Sequence, residues 1–365
     1  MKIPFTDLYS QYEECKTDID TAIHDIIKRS DYLTGKTVDK FENLISKYTG
    51  AEDCASTGSG TDALVCALKA LGVSEADTVW TVGHTYISTT EAIATVGARP
   101  FFIDIDQYYH LDLEKVQDFN PDCPPAVILF VDLYGQTPNI DKLKKFAKKY
   151  KIKLIEDAAQ SFGSKYKGSK VGSLVDLTCF SFNPVKNLGA MGDAGAVTGS
   201  KKLIEKVRMF RDHGRKSRLE YEKIGTNARI DNLQAVVVQA KLKKLDQWIK
   251  IKRQICHRYS SLLKNYVKVP KEAPWSYHTY YVYVIQTPKG TRDRLKEFLK
   301  NKGIETKIHY SIPTHKTKPY KQYSYVNLKL TENVCKNLLS LPCYHTLSMD
   351  EQNYIIKSIK DFYSN

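Results

Sequence analysis

The sequence predicts an α/β protein with a mostly parallel central sheet and a smaller C-terminal α+β domain. Apolar segments typical of buried strands alternate with helical patterns between Asp62 and Thr198, and this alternation indicates a parallel sheet covered by helices. A long helical pattern from about Asp231 to Tyr266 then bridges to a further strand and helix. The 365 residues also exceed what a single hydrophobic core commonly holds, which favours two domains.

The predicted elements follow an N-terminal helical arm. Before the bridge we expect a helix at Asp62 to Leu71, strands at Val79 to Val82, Phe101 to Ile105 and Ala126 to Val131, a helix at Ile140 to Lys149, and strands at Lys153 to Ile155, Leu177 to Phe182 and Gly195 to Thr198. After the bridge we expect a strand at Tyr280 to Gln286 and a helix at Arg292 to Asn301. The large domain with its arm then takes residues 1–245, and the small domain takes residues 246–365.

One lysine stands between a strand-like apolar segment and a cluster of glycines. Lys186 follows Ser181 and Phe182 and precedes Gly189 and Gly192. A lysine held just past a strand in a partly desolvated site loses its proton near neutral pH, and its free amine then condenses with an aldehyde to form a Schiff base. The obvious aldehyde is pyridoxal 5'-phosphate. Alone, the residue is more simply interpreted as a solvated surface lysine.

A carboxylate ends the predicted strand that begins at Lys153. Asp157 follows apolar residues and precedes the small residues Ala158 and Ala159. A carboxylate there could pair with the protonated pyridine nitrogen of the cofactor and keep its ring electron-poor. The alternative is an ordinary acid that caps the next turn.

A third segment has the composition of a phosphate-binding loop. Ser59, Gly60 and Thr61 precede an apolar periodic run, so backbone N–H groups and hydroxyls meet at the start of a helix, where an anion is favoured. It is not a P-loop, because no Gly-Lys-Ser/Thr follows at the required spacing. Simple N-capping by Ser59 or Thr61 is the alternative.

Taken together, the chain resembles the DegT/DnrJ/EryC1/StrS family of pyridoxal-phosphate-dependent nucleotide-sugar aminotransferases. The resemblance runs essentially from end to end and implies fold type I of the pyridoxal-phosphate-dependent transferases. Besides the three segments above, it rests on the segments Met1 to Leu8, Asp31 to Glu42, Val131 to Gln136, Arg211 to Gly214, Gly225 to Asp231 and Leu339 to Pro342, which stand in the family's order.

The resemblance implies roles for residues around the cofactor. Lys186 forms the Schiff base and Asp157 pairs with the pyridine nitrogen, which makes these two the catalytic residues. Gln160 lies beside the phenolic oxygen. The phosphate is held by Ser59, Gly60, Thr61 and Ser181.

Further roles concern the ring, the second subunit and the substrate. Tyr86 resembles an aromatic residue that stacks on the cofactor ring, although the local pattern fits a core aromatic equally well. Asn227 resembles a residue that reaches the phosphate from the neighbouring subunit, which implies a homodimer with shared active sites. His309, Tyr310 and His315 are the candidate contacts to the sugar or the diphosphate, with structural histidines as the alternative.

The implied reaction moves an amino group from an amino acid, with L-glutamate expected, to a nucleotide-linked keto-6-deoxyhexose. Pyridoxamine 5'-phosphate is then the intermediate form of the cofactor. The nucleotide (dTDP, UDP or GDP) and the position of the keto group (C3 or C4) stay open. Asp132 departs from the family at a position where histidine is common. Lys186 favours transamination over the deoxygenation carried out by relatives with histidine there.

Two alternatives from other functional classes stay open. One is a catalytically silent or regulatory relative that acts through a partner, and the other is a basic nucleic-acid-binding protein. The formal net charge is +14, but it sits largely in helix-like lysine clusters, and no nucleic-acid-binding module accompanies it. The eight cysteines form no C-x-x-C pair and the nine histidines show no metal-binding spacing, so we expect no metal and a reducing cytoplasm. We expect no membrane segment either.

Overall fold

The computed structural model describes residues 1–116, 119–323 and 326–364. Its strands are β1 (Asp53–Thr57), β2 (Thr78–Val82), β3 (Arg99–Ile103), β4 (Val127–Val131), β5 (Lys153–Asp157), β6 (Lys165–Tyr166), β7 (Ser169–Lys170), β8 (Leu177–Ser181), β9 (Gly195–Gly199), β10 (Arg215–Ser217), β11 (Glu220–Tyr221), β12 (Ser276–Tyr277), β13 (Tyr283–Gln286) and β14 (Leu338–Leu341). Its α-helices are α1 (Leu8–Glu13), α2 (Lys16–Arg29), α3 (Lys36–Thr49), α4 (Gly60–Ala70), α5 (Ile87–Thr95), α6 (Ile140–Tyr150), α7 (Lys201–Arg211), α8 (Asn232–Leu242), α9 (Leu245–Leu263), α10 (Arg292–Asn301), α11 (Lys329–Val334) and α12 (Met349–Ser364).

A seven-stranded sheet forms the centre, in the order β1-β9-β8-β5-β4-β2-β3. The pairs β2·β3, β2·β4, β4·β5 and β5·β8 are parallel, whereas β9 runs antiparallel to both of its neighbours, β1 and β8. The prediction of a mostly parallel sheet is therefore confirmed. Because the parallel strands end at one edge, the residues that follow β5 and β8 meet there.

The central strands are buried because helices cover both faces of the sheet. All five residues of β4 are apolar and buried, as expected for a parallel strand that is covered on both sides. One core packs α4, α5 and α7 on the sheet through residues such as Leu64, Leu68, Ile93 and Ile204. The apolar positions of α4 recur three and four residues apart, which turns one continuous face of that helix towards the strands.

A separate apolar core lies in the C-terminal part of the chain. Tyr259 of α9, Tyr283 of β13, Leu295 of α10 and Ile359 of α12 are fully buried in it. Ile3, from the N-terminus, joins this core, and its N–H donates to the Gly303 carbonyl at 2.8 Å. The domain boundary at residue 245 stays a prediction.

The long helical region predicted from about Asp231 to Tyr266 is helical in the structure, with one break. The structure has two helices, α8 and α9, separated at Lys243 and Lys244. Both residues keep helical backbone angles, and neither glycine nor proline marks the break, so the sequence pattern runs through it. The break lets each helix bury its own face, with Leu245 at the start of α9 fully buried.

The strand predicted from Tyr280 begins instead at Tyr283. Tyr280 has a φ of 49°, in the left-handed region, which an extended strand does not allow. The neighbouring N–H groups of Thr279 and Tyr281 donate to the carbonyls of Gly135 and Tyr134. The chain is therefore tied to the loop after β4 before it enters the sheet pair β13·β14.

Within the described ranges, no helix combines the length and apolar character needed to cross a bilayer.

Candidate active site

One cavity lies at the edge of the sheet where the parallel strands end. It has a volume of ≈ 470 Å³ and is lined from the ends of β5 and β8, the starts of α4 and α5, and the segment around Tyr310. The predicted site residues in its wall are Ser59, Gly60, Thr61, Tyr86, Asp157, Gln160, Ser181, Lys186, His309 and Tyr310. The structure thus brings together most of the residues that the sequence singled out.

Lys186 reaches the cavity from the loop after β8. The N–H of Lys186 donates to the Asn183 carbonyl at 2.9 Å, so the chain turns soon after the strand ends. The amino group of Lys186 lies 4.7 Å from the centroid of the Tyr281 ring. Burial lowers the pKa of Lys186 to about 8, and the Asp157 carboxylate opposes this shift. A substantial fraction of this amine is therefore unprotonated, and nucleophilic, at slightly alkaline pH.

Asp157 is the last residue of β5, and its carboxylate is held at both oxygens. The Thr89 hydroxyl donates to one oxygen at 2.7 Å, and the Ala159 N–H donates to the other at 3.2 Å. Burial raises the pKa of Asp157, whereas these hydrogen bonds and the charge of Lys186 favour its ionised form. The site therefore holds a fixed, buried carboxylate in the field of one amine.

Thr89 is a site residue that the sequence did not reveal. It is fully buried on α5, and the Thr85 hydroxyl lies 2.7 Å from its own. Because Thr89 donates to Asp157, Thr85 must donate to Thr89, so the carboxylate ends a short chain of hydroxyls. The spacing of two threonines carries no functional information by itself, and only the fold shows which carboxylate they face.

The start of α4 closes one end of the cavity against the end of β8. Ser59 caps the helix, and its hydroxyl oxygen accepts from the Asp62 N–H at 3.0 Å. A Cβ at Gly60 would lie 2.7 Å from the Cβ of Ser181, so only glycine allows this close approach. The first N–H groups of a helix lack partners within it and attract an anion. The predicted phosphate-binding loop thus has the geometry of an anion site.

Gln160 connects the loop after β4 with the C-terminal part of the chain. Its Oε1 accepts from the Tyr134 N–H at 2.8 Å, and its Nε2 donates to the Tyr310 hydroxyl at 3.0 Å. The two bonds define which end of the amide faces which partner. The side chain of Gln160 is therefore held in one orientation at the cavity wall.

His309 contributes an uncharged imidazole to the cavity. Its Nδ1 lies 2.8 Å from the Ser340 hydroxyl. Burial, and then the positive charges of Lys307 and Lys186, lower the pKa of His309 to about 4. At neutral pH this ring can accept or donate a hydrogen bond without carrying a charge.

Tyr86 forms part of the wall near the start of α5. It is 54% exposed, and its ring centroid lies 5.9 Å from that of Tyr310. The two rings leave an aromatic surface at the cavity. That Tyr86 stacks on a cofactor ring stays a prediction.

Two of the predicted residues lie outside this cavity in the single chain. Asn227 is exposed and pairs through its backbone with Asp212. His315 is fully buried, and its Nε2 lies 3.2 Å from a carboxylate oxygen of Glu332. Burial of the whole ring keeps His315 away from any ligand in the cavity. The structure therefore does not bring His315 together with the other predicted substrate contacts.

The family assignment follows from comparison with known proteins. The model of the DegT/DnrJ/EryC1/StrS aminotransferase family matches residues 13–360. The chain belongs to this family. It is therefore an aminotransferase, and its fold is fold type I of the pyridoxal-phosphate-dependent transferases.

Two relatives and one solved structure match along nearly the whole chain. The "pleiotropic regulatory protein" of Geobacillus stearothermophilus is 36% identical, covering 100% of this chain and 99% of the relative. The dTDP-3-amino-3,4,6-trideoxy-alpha-D-glucose transaminase of Streptomyces venezuelae is 32% identical, covering 99% of this chain and 96% of the relative. The crystal structure of NtdA from Bacillus subtilis with bound cofactor PMP has a TM-score of 0.91 at 26% identity, covering 100% of this chain and 86% of NtdA.

The regulatory alternative is supported only by the name of the Geobacillus stearothermophilus relative. The present chain has a buried lysine, a buried carboxylate and a helix N-terminus in one cavity, and these groups fit amino transfer.

Proposed function

We propose that the chain transfers an amino group from an amino acid, with L-glutamate as the donor, to the keto group of a nucleotide-linked 6-deoxyhexose. Pyridoxal 5'-phosphate is the proposed cofactor. The observation that carries the proposal is the convergence of the Lys186 amine, the Asp157 carboxylate and the start of α4 on one cavity.

The residues in the cavity fit three chemically different groups of this cofactor, namely its aldehyde, its pyridine nitrogen and its phosphate. Lys186 offers an amine with a lowered pKa, Asp157 a fixed carboxylate, and the N-terminus of α4 an anion site. The space beside Gly60 supports the fit further, because a side chain there would meet Ser181. When bound, the cofactor supplies a carbonyl group that takes up the amino group and an electron-poor ring that stabilises negative charge.

Lys186 is the proposed proton-transfer residue. With the cofactor bound, its neutral amine would take the proton from the α-carbon of the amino donor, and the resulting ammonium group would hold that proton and return it. The pKa of about 8 suits both steps, because a group that titrates near the working pH can take and give a proton. In the second half-reaction the same amine acts in the opposite direction with the ketosugar.

Asp157 is proposed to hold a proton on the pyridine nitrogen. The hydrogen bond from Thr89 and the charge of Lys186 favour its ionised form, as this role requires. Gln160 is proposed to lie beside the phenolic oxygen, and its bonds to Tyr134 and Tyr310 support this role because they hold its side chain in one orientation at the cavity wall.

The phosphate is proposed to lie at the start of α4. The hydroxyls of Ser59, Thr61 and Ser181 line this end of the cavity. Thr61 donates to the Ser88 hydroxyl at 2.8 Å, which orients its lone pairs and side chain. The helix dipole adds to the attraction of a dianion.

The sugar is proposed to bind beside His309 and Tyr310. Both line the same cavity as Lys186, and His309 is uncharged at neutral pH, which suits contacts to sugar hydroxyls. The Streptomyces venezuelae relative is named for a dTDP-linked amino sugar, and we extend this substrate class to the present chain. The eight cysteines are free, which supports a reducing, cytoplasmic setting.

We propose further that the active form is a homodimer with shared sites. Asn227 is exposed and follows the β10–β11 hairpin. Leu219, at the turn of this hairpin, is 91% exposed, and Ile224, after the hairpin, is 89% exposed. A second copy that covers these apolar side chains could receive Asn227 at its phosphate end.

The cofactor and the donor are tested by visible absorption. The purified chain with pyridoxal 5'-phosphate should absorb in the visible range, and addition of L-glutamate should remove that band. A panel of nucleotide-linked ketosugars should then restore it and give an aminated product by mass spectrometry. The absence of any visible band with saturating cofactor would contradict the proposal.

The shared site is tested by mixing two inactive variants, Lys186→Ala and Asn227→Ala. If the residues serve one site from different subunits, each mixed dimer has one intact site, and random reassociation restores about a quarter of full activity. If both residues act within one chain, a mixed dimer has no intact site. No recovery, with mixed dimers verified by a mass tag and the Asn227 variant inactive alone, would exclude the shared site.

A further inference from the structure

The loop that carries Lys186 rests on two other buried lysines. Lys241 of α8 is 3% exposed and donates to the Gly189 carbonyl at 2.9 Å. Lys252 of α9 is 9% exposed and donates to Oδ1 of Asn187, the residue after Lys186, at 2.9 Å. Two ammonium groups from successive helices thus contact the same short segment, at Asn187 and Gly189.

Lys252 makes a second contact that Lys241 does not have. Its ammonium group lies 3.4 Å from the carbonyl oxygen of Tyr281. The ring of Tyr281 is the one that the Lys186 amino group faces at 4.7 Å. Lys252 therefore links Asn187, the residue after Lys186, to Tyr281, whose ring the Lys186 amine faces.

Burying the ammonium group of Lys252 costs free energy, which suggests that the contacts it makes have a role beyond packing. Both acceptors of the Lys252 ammonium are neutral oxygens rather than carboxylates. A buried ammonium group without a carboxylate partner is disfavoured, and burial lowers the pKa of Lys252, while the neighbouring thiols of Cys343 and Cys256 oppose this shift. A methionine or leucine would fill the same space without this penalty. What an apolar side chain could not do is link Asn187 to Tyr281.

We propose that Lys252 is a positioning residue for Lys186: by holding Asn187 and the Tyr281 carbonyl together, it keeps the Lys186 amine buried at the Tyr281 ring. This inference rests on the proposed function, in which Lys186 is the reacting amine. It assigns no contact between Lys252 and the substrate or cofactor.

The consequence concerns how easily Lys186 reaches water. When the link is lost, the loop and the ring can separate, and the Lys186 amine becomes hydrated. Hydration favours the ammonium form, so the pKa of Lys186 should move from about 8 towards its ordinary value of 10.5. A residue that merely stabilised the fold would leave this pKa unchanged in the folded molecules.

The test compares Lys252→Met with Lys250→Met, an exposed lysine on the same helix. The full-length chains are labelled with acetic anhydride at a series of pH values, and acetylation of Lys186 is quantified by peptide mass spectrometry. We expect the labelling midpoint of Lys252→Met to lie more than about half a pH unit above that of the parent. Lys250→Met should keep the parent midpoint.

A second variant keeps the test decisive if Lys252→Met fails to fold by circular dichroism. Asn187→Ala removes one of the two contacts and should shift the midpoint in the same direction, by less. An unchanged midpoint in every folded variant would overturn the inference. The labelling needs no cofactor, so it is independent of the proposed function, whose failure would appear as the absence of a visible band in the parent with pyridoxal 5'-phosphate.

Discussion

Glu156 and Asp157 are neighbours on β5 and face opposite sides of the sheet. Asp157 lines the cavity, accepts from Thr89 and feels the positive charge of Lys186. Glu156 is fully buried on the other side, accepts from the Thr178 hydroxyl at 2.9 Å, and has an acid, Asp132, as its neighbour. Because successive side chains of a strand point to opposite faces, one residue separates a carboxylate that lines the cavity from one that is buried on the other side of the sheet.

The difference between these acids lies in what compensates their charge. Burial raises the pKa of Glu156 to about 7 and that of Asp132 well above its usual range. One oxygen of Asp132 accepts from Ser161. Among the residues that the structure describes, the other oxygen has no donor within hydrogen-bonding distance, so a proton shared with Glu156 would supply its hydrogen bond. Asp157 has a nearby amine and two donors, whereas Glu156 and Asp132 accept from hydroxyl groups and can share one proton between them.

The largest effect is expected from removing the amine on the Asp157 side. Lys186→Ala should reduce amino transfer by at least about 10⁴-fold, since it removes both the nucleophile and the proton-transfer group. Fold and noncovalent cofactor binding should persist. Turnover with glutamate and a nucleotide ketosugar measures the loss, and transfer at even a modest fraction of the parent rate would refute the role of Lys186.

Neutralising the carboxylate itself should rank second. Asp157→Asn should lower the transamination rate by about 10²- to 10³-fold and weaken cofactor binding, because an amide cannot stabilise a protonated pyridine nitrogen. Glu156→Gln, one residue away on the opposite side, is the matched control and should retain most of the activity. Equal losses in both variants would show that the two acids do not differ in role.

A smaller effect is expected from the donor that orients Asp157. Thr89→Val removes the 2.7 Å hydrogen bond and should raise the pKa of Asp157 and slow turnover about tenfold. Thr89→Ser keeps a hydroxyl and should restore the rate. Steady-state kinetics across pH, together with thermal unfolding, separates this from a loss of stability. A serine variant as slow as the valine variant would exclude the hydroxyl as the cause.

The smallest expected effect concerns the structural pair and appears as a pH dependence of stability. The folded pKa of Glu156, about 7, exceeds its ordinary value of 4.5, so its contribution is fully present below about pH 4.5 and is lost as the pH rises through 7. In Asp132→Asn the new amide can donate to an ionised Glu156. Between pH 5 and 8 this variant should lose about 2 kcal/mol less unfolding free energy than the parent.

Denaturant unfolding at both pH values measures that difference, with Asp176→Asn, an acid at the sheet surface paired with Lys153, as the control. A parallel pH dependence in the parent and in Asp132→Asn would show that the pair shares no proton.

The sequence predicted the features that short patterns encode. Asp157 and Ser181 end strands, and Gly60 begins a helix, so a parallel sheet had to bring them to one edge. The antiparallel direction of β9 has no signature in its five residues. The break at Lys243 likewise leaves the helical pattern intact.

Long-range polar contacts also escaped sequence reasoning. Thr89 lies 68 residues from Asp157, and Lys252 lies 65 residues from Asn187. Each was one threonine or lysine among many, and only packing shows its partner. His315 shows that closeness in the sequence can mislead. It follows Tyr310 within the same segment, yet it does not line the cavity.

The contact between Gly60 and Ser181 fixes how closely the start of α4 approaches the end of β8. The helix start and the strand end touch, and Lys186 follows only a short turn beyond Ser181. Main-chain contacts therefore set the distance between the start of α4 and the backbone of Lys186, and the Lys186 side chain spans the rest of the way to the Tyr281 ring. An enlarged side chain at Gly60 would push the start of α4 away from Ser181, so this one glycine sets how far the helix N-terminus lies from the loop that carries Lys186.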